Sequence, residues 1–239
     1  MQLSVHHDPA TATAAAADRL AAWLVDPATR NVMVAAGNTP IPLYGLIAGR
    51  GLALHRLRVF MLDEYMGVPA SDPRNCASLL RRTVAEAWHI PSANFFTLDP
   101  DPAQARASVV AHEERLRSSG GLDVVILGLG QNGHLGFNEP GSTPDSGARV
   151  LDLEAVSTEA NRKWFDGDYA PNQGVTIGLR TLLAARRVLL LAFGPHKADA
   201  VRSMIEGTPS PDCPASFLQR HPDTHVFLDT AAAARIRVP

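Results

Sequence analysis

The chain reads as an α/β protein of Rossmann-like type, a mostly parallel sheet with helices on both faces, carried by a single domain over residues 1–239. Three observations predict this. Short, nearly continuous apolar runs such as Val124-Val-Ile-Leu127 and Arg187–Phe193 have the length and composition of buried strands. Segments of helical composition alternate with them along the chain. No internal repeat, low-complexity stretch or linker separates two halves.

Taken in order, Ala14–Val25 places apolar residues at helical spacing, and Asn31–Ala36 is a short apolar strand. Gly37-Asn38-Thr39-Pro40 breaks that strand and leads into a helix over Ile41–Ala48. Leu57–Leu62 is the next strand, ending at Asp63. Asn75–Ala87 and Ala103–Ser118 read as helices, the second polar-faced and rich in good helix formers. Asp123–Leu127 is a strand, Arg149–Leu153 a further candidate strand and Ser157–Phe165 a helix. Val175–Ala184 fits either state. Arg187–Phe193 is a strongly apolar strand, Lys197–Ile205 a helix and Thr224–Leu228 the last strand.

Composition narrows the function. A formal charge of −2 and no basic run longer than a pair such as Arg81-Arg82 exclude the electrostatic footprint of a nucleic-acid binder. No run reaches the ~18 apolar residues of a membrane span. The N-terminal Met1-Gln-Leu-Ser-Val-His-His-Asp lacks the basic-then-apolar layout of a signal peptide. Cys76 and Cys213 form no metal-ligand spacing and read as free thiols. A cytoplasmic location is the expectation.

Four segments carry candidate chemistry. Gly37-Asn38-Thr39-Pro40 joins a strand to a helix. Gly37 suits a tight turn, Thr39 an N-cap and Pro40 the first helical position, so the exposed N–H groups could hold a phosphate or simply open a capped helix. Asp63-Glu64-Tyr65 ends a strand where open α/β sheets bind ligands. One carboxylate there could be a general base, although a cap is the simpler reading of the residues alone. The glycine-rich segment Gly128–Gly141 presents Asn132, His134 and Glu139 within eight residues, an imidazole with partners able to fix its tautomer. Lys197, after Gly194-Pro195-His196, lies near a helix N-terminus, where a lysine opposes the helix dipole unless an anion is bound. Arg162 and Lys163 are either further ligand contacts or a solvated face. Gly128, Gly130 and Gly133 match a dinucleotide fingerprint, but a proline-containing turn follows where a long helix is required. No acidic residue about twenty positions on clearly ends a second βαβ strand.

With these residues in view the chain resembles the glucosamine-6-phosphate deaminase/isomerase family, related to the 6-phosphogluconolactonases, from about Val32 to Asp229. The resemblance rests on Gly37-Asn-Thr-Pro40, Leu62-Asp-Glu-Tyr-Met-Gly67, Gly130-Gln-Asn-Gly-His-Leu-Gly-Phe-Asn-Glu-Pro-Gly141 and Pro214–Pro222. The Phe137-Asn-Glu-Pro140 continuation separates the deaminase branch from the lactonases. The resemblance implies conversion of glucosamine 6-phosphate and water to fructose 6-phosphate and ammonia. In it Asp63 is the base that moves a proton between C2 and C1, His134 promotes ring opening and Glu139 orients and tunes His134. Gly37, Asn38, Thr39 and Lys197 hold the phosphate with help from Arg162 or Lys163. No metal and no redox cofactor is implied, and the partner is a small sugar phosphate.

The chain departs from that pattern twice. Asn132 stands where the best-known deaminases have Asp, as it does in compact members, and Lys163 stands where the family pattern Ala-Asn-x-Arg has arginine. The short C-terminus resembles compact members that lack the extension of allosteric hexamers, so a monomer or small homo-oligomer is expected. A 6-phosphogluconolactonase, a galactosamine-6-phosphate deaminase and a non-catalytic sugar-phosphate-binding regulator are the alternatives.

Overall fold

The computed structural model describes residues 1–237. Its elements run β1 (Gln2–His6), α1 (Pro9–Val25), β2 (Asn31–Val34), α2 (Ile41–Ala48), β3 (Arg58–Met61), β4 (Asp63–Tyr65), α3 (Cys76–Leu80), β5 (Phe95–Phe96), α4 (Ala105–Ser118), β6 (Val124–Gly128), β7 (Arg149–Asp152), α5 (Ala155–Trp164), β8 (Gln173–Thr176), α6 (Leu179–Leu183), β9 (Arg187–Ala192), α7 (Ala198–Glu206) and β10 (Thr224–Asp229). Seven strands form a parallel sheet in the order β1-β10-β9-β6-β2-β3-β5, and β4-β8-β7 form a small antiparallel sheet. The expected parallel α/β architecture is therefore present.

Strand alternation explains why the apolar runs are continuous. In β2 Met33 enters one apolar layer while Val32 and Val34 enter the other. In β6 Val125 and Leu127 face away from Val124 and Ile126, and β9 divides Val188 and Leu190 from Leu189 and Leu191 in the same way. One layer packs on α1 and α2 through Leu20, Leu24, Leu43 and Ile47. The other packs on α4, α6 and α7 through Val109, Leu182, Val201 and Met204. A sheet buried on both faces needs apolar residues at every position, and each such buried side chain contributes about 1.5–3 kcal/mol.

Three features lay beyond sequence periodicity. β1 and β5 are edge strands too short or too mixed in pattern to announce themselves. Val175–Ala184 divides into the end of β8 and α6. The run through Leu62 does not stop at Asp63: Leu62 N–H still bonds the Val34 carbonyl (3.1 Å), and the chain then crosses into β4 against β8. Asp63 thus sits where the two sheets meet.

The strand order reverses between β2 and β6. From β2 the chain winds outward through β3 and β5, and from β6 through β9 and β10. The carboxyl ends of these two neighbours flank the crevice where open α/β sheets hold ligands.

Candidate active site

A cleft of about 310 Å³ opens at that switch point. Its floor comes from Ala35–Thr39 after β2 and Gly128–Gln131 after β6. Asp63 and Tyr65 of β4 form one wall, His196 and Lys197 after β9 another, and α5 supplies the roof through Val156, Ser157, Ala160, Asn161 and Trp164.

Asp63 and Glu64 are separated by the two-residue period of a strand. Asp63 and Tyr65 face the cleft, whereas Glu64 turns to the opposite side. There Glu64 is fully buried and accepts from the backbone N–H groups of Tyr65 (2.8 Å), Cys76 (3.2 Å) and Ala77 (2.9 Å), closing the first turn of α3 beside its N-cap Asn75. Burial pushes the Glu64 carboxyl up to about 7, with these three donors opposing the rise. Asp63, 8% exposed, has no such donors among the described residues. Burial, followed by repulsion from Glu64, pushes it up to about 8. The cap anticipated for this acidic pair is therefore Glu64, and the residue left facing the cleft is Asp63.

The loop after β6 delivers the imidazole. Gly130 N–H donates to the His134 carbonyl (3.0 Å) and Gly133 N–H to the Gly130 carbonyl (3.1 Å), folding the segment into a tight loop. A Cβ at Gly130 would overlap the His134 ring, and one at Gly133 would reach the Cys213 sulfur. These glycines make room for side chains, which accounts for the fingerprint-like spacing without a dinucleotide.

His134 Nδ1 lies 3.1 Å from Glu139 Oε2, and the Asn132 amide donates to the same oxygen at 2.7 Å. Ser157 from the roof brings its hydroxyl within 3.4 Å of His134 Nδ1. Burial alone would raise the Glu139 carboxyl. Its hydrogen bonds with His134, Ser157 and Asn132 outweigh burial and hold it below the ordinary value. An ionised Glu139 accepts from Nδ1–H and leaves Nε2 as the working nitrogen. Asn138 locks the loop by donating to the Leu135 and Ile177 carbonyls (both 2.9 Å) and accepting from Arg149 (3.0 Å).

The phosphate candidates divide. Gly37 adopts φ +126°, a conformation that favours glycine, and so opens the strand into the turn Gly37–Thr39 on the cleft floor. Thr39 is not the N-cap that its position suggested: the cap is Pro40, with no side-chain bond, and α2 begins at Ile41. The turn extends one residue further than the cap rule allows, leaving Thr39 on the cleft surface. Tyr44 O–H donates to the Ala35 carbonyl (2.8 Å), and Trp88 Nε1–H to the Tyr44 carbonyl (3.0 Å), so two buried aromatics brace the strand end that carries this turn.

Lys197 reaches the cleft, and burial lowers its ammonium to about 8. Among the described residues it has no carboxylate within ion-pair distance. Arg162 and Lys163, by contrast, are not brought to the cleft. They are 63% and 76% exposed and pair with Glu159 at 4.0 and 3.6 Å. Helical periodicity turns Arg162 away, because positions 156, 157, 160, 161 and 164 of α5 share the cleft face; Lys163, seven residues after Val156, stands at the edge of that face with its ammonium beside Glu159. Among the described residues no cluster of three or more His, Cys, Asp or Glu could hold a metal ion.

Several residues of this site carried no recognisable sequence signal. Ser157 is an ordinary helix-start serine until α5 is laid over His134. Arg74 secures the far end of that helix. It donates to the Phe165 carbonyl (2.8 Å) and pairs with Asp72 and Asp168 (both 2.8 Å), while Trp164 Nε1–H donates to the Arg74 carbonyl (3.3 Å).

The sequence matches the family described as glucosamine-6-phosphate isomerases/6-phosphogluconolactonase over residues 7–227. It is 40% identical to the glucosamine-6-phosphate deaminase of Cutibacterium acnes, over 99% of this chain and 92% of that protein. It is also 40% identical to that of Streptomyces coelicolor, over 86% of this chain and 81% of the relative. A solved structure of a monomeric glucosamine-6-phosphate deaminase superposes with a TM-score of 0.94 at 29% identity, covering 99% of this chain and 100% of the other. The 6-phosphogluconolactonase of Trypanosoma cruzi superposes with a TM-score of 0.81 at 23% identity, over 99% of this chain and 97% of its own, a likeness of fold alone. With the matched region covering nearly the whole chain and its cleft at the sheet's switch point, this protein belongs to the glucosamine-6-phosphate isomerase/6-phosphogluconolactonase family.

Proposed function

We propose that the chain converts glucosamine 6-phosphate and water to fructose 6-phosphate and ammonia. The observation that carries this reading is the convergence on one cleft of a carboxyl poised near neutrality, Asp63, an oriented imidazole, His134, and a cation without a counter-charge, Lys197.

His134 Nε2 shuttles the proton that opens the pyranose, and Glu139 holds the imidazole in the required tautomer. Ionised Asp63 then takes the C2 proton. The C2–H electron pair becomes the C1–C2 double bond, and the C1 oxygen is protonated. Return of a proton to C1 leaves an iminium at C2; water adds there and ammonia departs, giving the ketose. Lys197 and the Gly37–Thr39 turn hold the phosphate and so place C2 against Asp63. Asn132 supplies a neutral donor to Glu139, where a carboxylate would place a second negative charge.

The deaminase reading is preferred over lactone hydrolysis because deaminase relatives match at 40% identity, whereas the lactonase structure shares the fold at 23%. As part of the same proposal, residues 1–239 act as one domain, as a monomer and in the cytoplasm. The first two points accord with the monomeric deaminase that matches over the full chain, the third with two buried free thiols.

The test is incubation with glucosamine 6-phosphate, measuring ammonia and fructose 6-phosphate together, with 6-phosphogluconolactone in parallel. Equal amounts of the two products are expected. Lactone hydrolysis without ammonia would overturn the reading. In deuterated water Asp63→Asn should lose exchange at C2 while still binding fructose 6-phosphate, and exchange at a near-normal rate would remove Asp63 from the base role.

A further inference from the structure

We propose that His196 is the second cation of the phosphate subsite, so that this chain grips its sugar phosphate through the adjacent pair His196–Lys197 and not through a cation from α5. The inference rests on the deaminase reading and adds a residue to it.

A phosphate monoester carries about −1.5 to −2 charge at pH 7. Among the described residues that line the cleft, Lys197 is the only lysine or arginine, and Arg162 and Lys163 are exposed and paired with Glu159. A single lysine leaves part of that charge uncompensated. His196 lines the same cleft and precedes Lys197 on the short helical turn Pro195–Lys197 that follows β9.

The turn is built to hold the imidazole. Gly194 has φ +86°, and its N–H donates to both carboxylate oxygens of Asp229 (3.0 and 3.1 Å) at the end of β10. A Cβ at position 194 would stand 2.9 Å from His196 Cε1 and 3.0 Å from Nδ1, so the ring rests against the bare α-carbon of the glycine. Glycine at 194 thus serves both the backbone and the ring.

The charges around the ring set its response. Burial and then the neighbouring Lys197 hold the imidazole below its ordinary pKa, with Asp229 opposing; Asp63, Tyr65, Cys76 and His134 are the other titratable groups that line the cleft. Without an anion beside it the ring is therefore biased toward the neutral form. An arriving phosphate reverses that bias and draws a proton onto it, making a charge-assisted hydrogen bond. Binding should accordingly take up protons, and affinity should fall as pH rises through the titration of the bound histidine.

Calorimetric binding of fructose 6-phosphate to the full chain tests this at pH 7.5, comparing wild type with His196→Ala, His196→Arg and Lys163→Ala in buffers of different ionisation enthalpy. His196→Ala should weaken binding about tenfold and reduce proton uptake. His196→Arg should retain affinity with less proton uptake, and Lys163→Ala should stay within about twofold of wild type. Unchanged affinity in His196→Ala, or a larger loss in Lys163→Ala, would overturn the assignment while leaving the deaminase reading in place. A wild type that neither binds fructose 6-phosphate nor releases ammonia from glucosamine 6-phosphate would remove both.

Discussion

Asp63 and Glu64 show how one residue step along a strand divides two carboxylates between a cleft and a helix cap. Glu64 takes three backbone donors, ionises first and closes α3; Asp63 keeps its proton up to about 8 and faces the cleft. Lys197 loses its proton over the same range, near 8. In the proposed reaction the base must be ionised, so activity should be gained as pH rises through the Asp63 titration. The proposed phosphate grip must be charged, so activity should be lost as pH rises through the titration of Lys197. The profile of kcat/KM is therefore expected to be bell-shaped with its maximum near pH 8. Lys197→Arg should flatten the alkaline limb, because a guanidinium stays charged, while leaving the acid limb in place. A steep alkaline loss that persists in the arginine variant would assign that limb elsewhere. The residues of the Asp63-Glu64 pair alone left open which carboxylate is the base, the family resemblance pointed to Asp63, and the division of the pair between cleft and cap emerges only once β4 pairs with β8.

Elements position the site through contacts between segments distant in sequence. The turn after β2 depends on α2, because Tyr44 bonds the Ala35 carbonyl and Trp88 in turn bonds the Tyr44 carbonyl. Tyr44→Phe leaves that buried carbonyl without its donor, and about 1–3 kcal/mol of unfolding free energy should be lost. The relaxed turn should also raise KM for the sugar phosphate more than it lowers kcat. Urea unfolding and steady-state kinetics read the two effects, and an unaltered KM would show that the turn holds its shape without the brace. The same scale explains what the sequence pattern missed. Helix α5 was legible from its composition, but its cleft-facing stripe was not, so Lys163 appeared in place of the family's arginine while the structure turns it toward Glu159. Thr39 fits an N-cap by local rule, yet the capping position falls on Pro40 without a side-chain bond and α2 starts at Ile41.

On the scale of the whole molecule, the two apolar layers also contain polar groups whose protonation is tied to folding. His112 of α4 is buried beneath the sheet, edge-on to Phe60, with Nε2 3.0 Å from the Met61 carbonyl. Burial depresses its pKa from 6.5 to about 4. A folded-state pKa below the unfolded value means that the stability is present above pH 6.5 and lost as pH falls toward 4. His112→Gln should remove up to about 3 kcal/mol of the acid-side slope between pH 7 and 4.5, while lowering stability modestly at pH 7. Urea midpoints at the two pH values test this, and parallel losses in parent and variant would place the acid sensitivity in other groups. In the sequence His112 showed no partner, because the carbonyl it meets lies 51 residues away.

The sequence by itself determined the parallel α/β fold, the position of its main strands and the segments that form the cleft. Apolar runs, helical spacing and glycine breaks are local properties, and the Gly130–Gly141 run is specific enough to indicate the family. Tertiary structure alone decided which of those residues meet. It turned Asp63 to the cleft and Glu64 to the buried cap of α3, placed Ser157 over His134, set His196 beside Lys197 in the cleft and left Arg162 and Lys163 exposed beside Glu159. The reason is physical: a side chain's direction follows from strand pairing and helix rotation, and both are fixed by packing between segments that lie far apart along the chain.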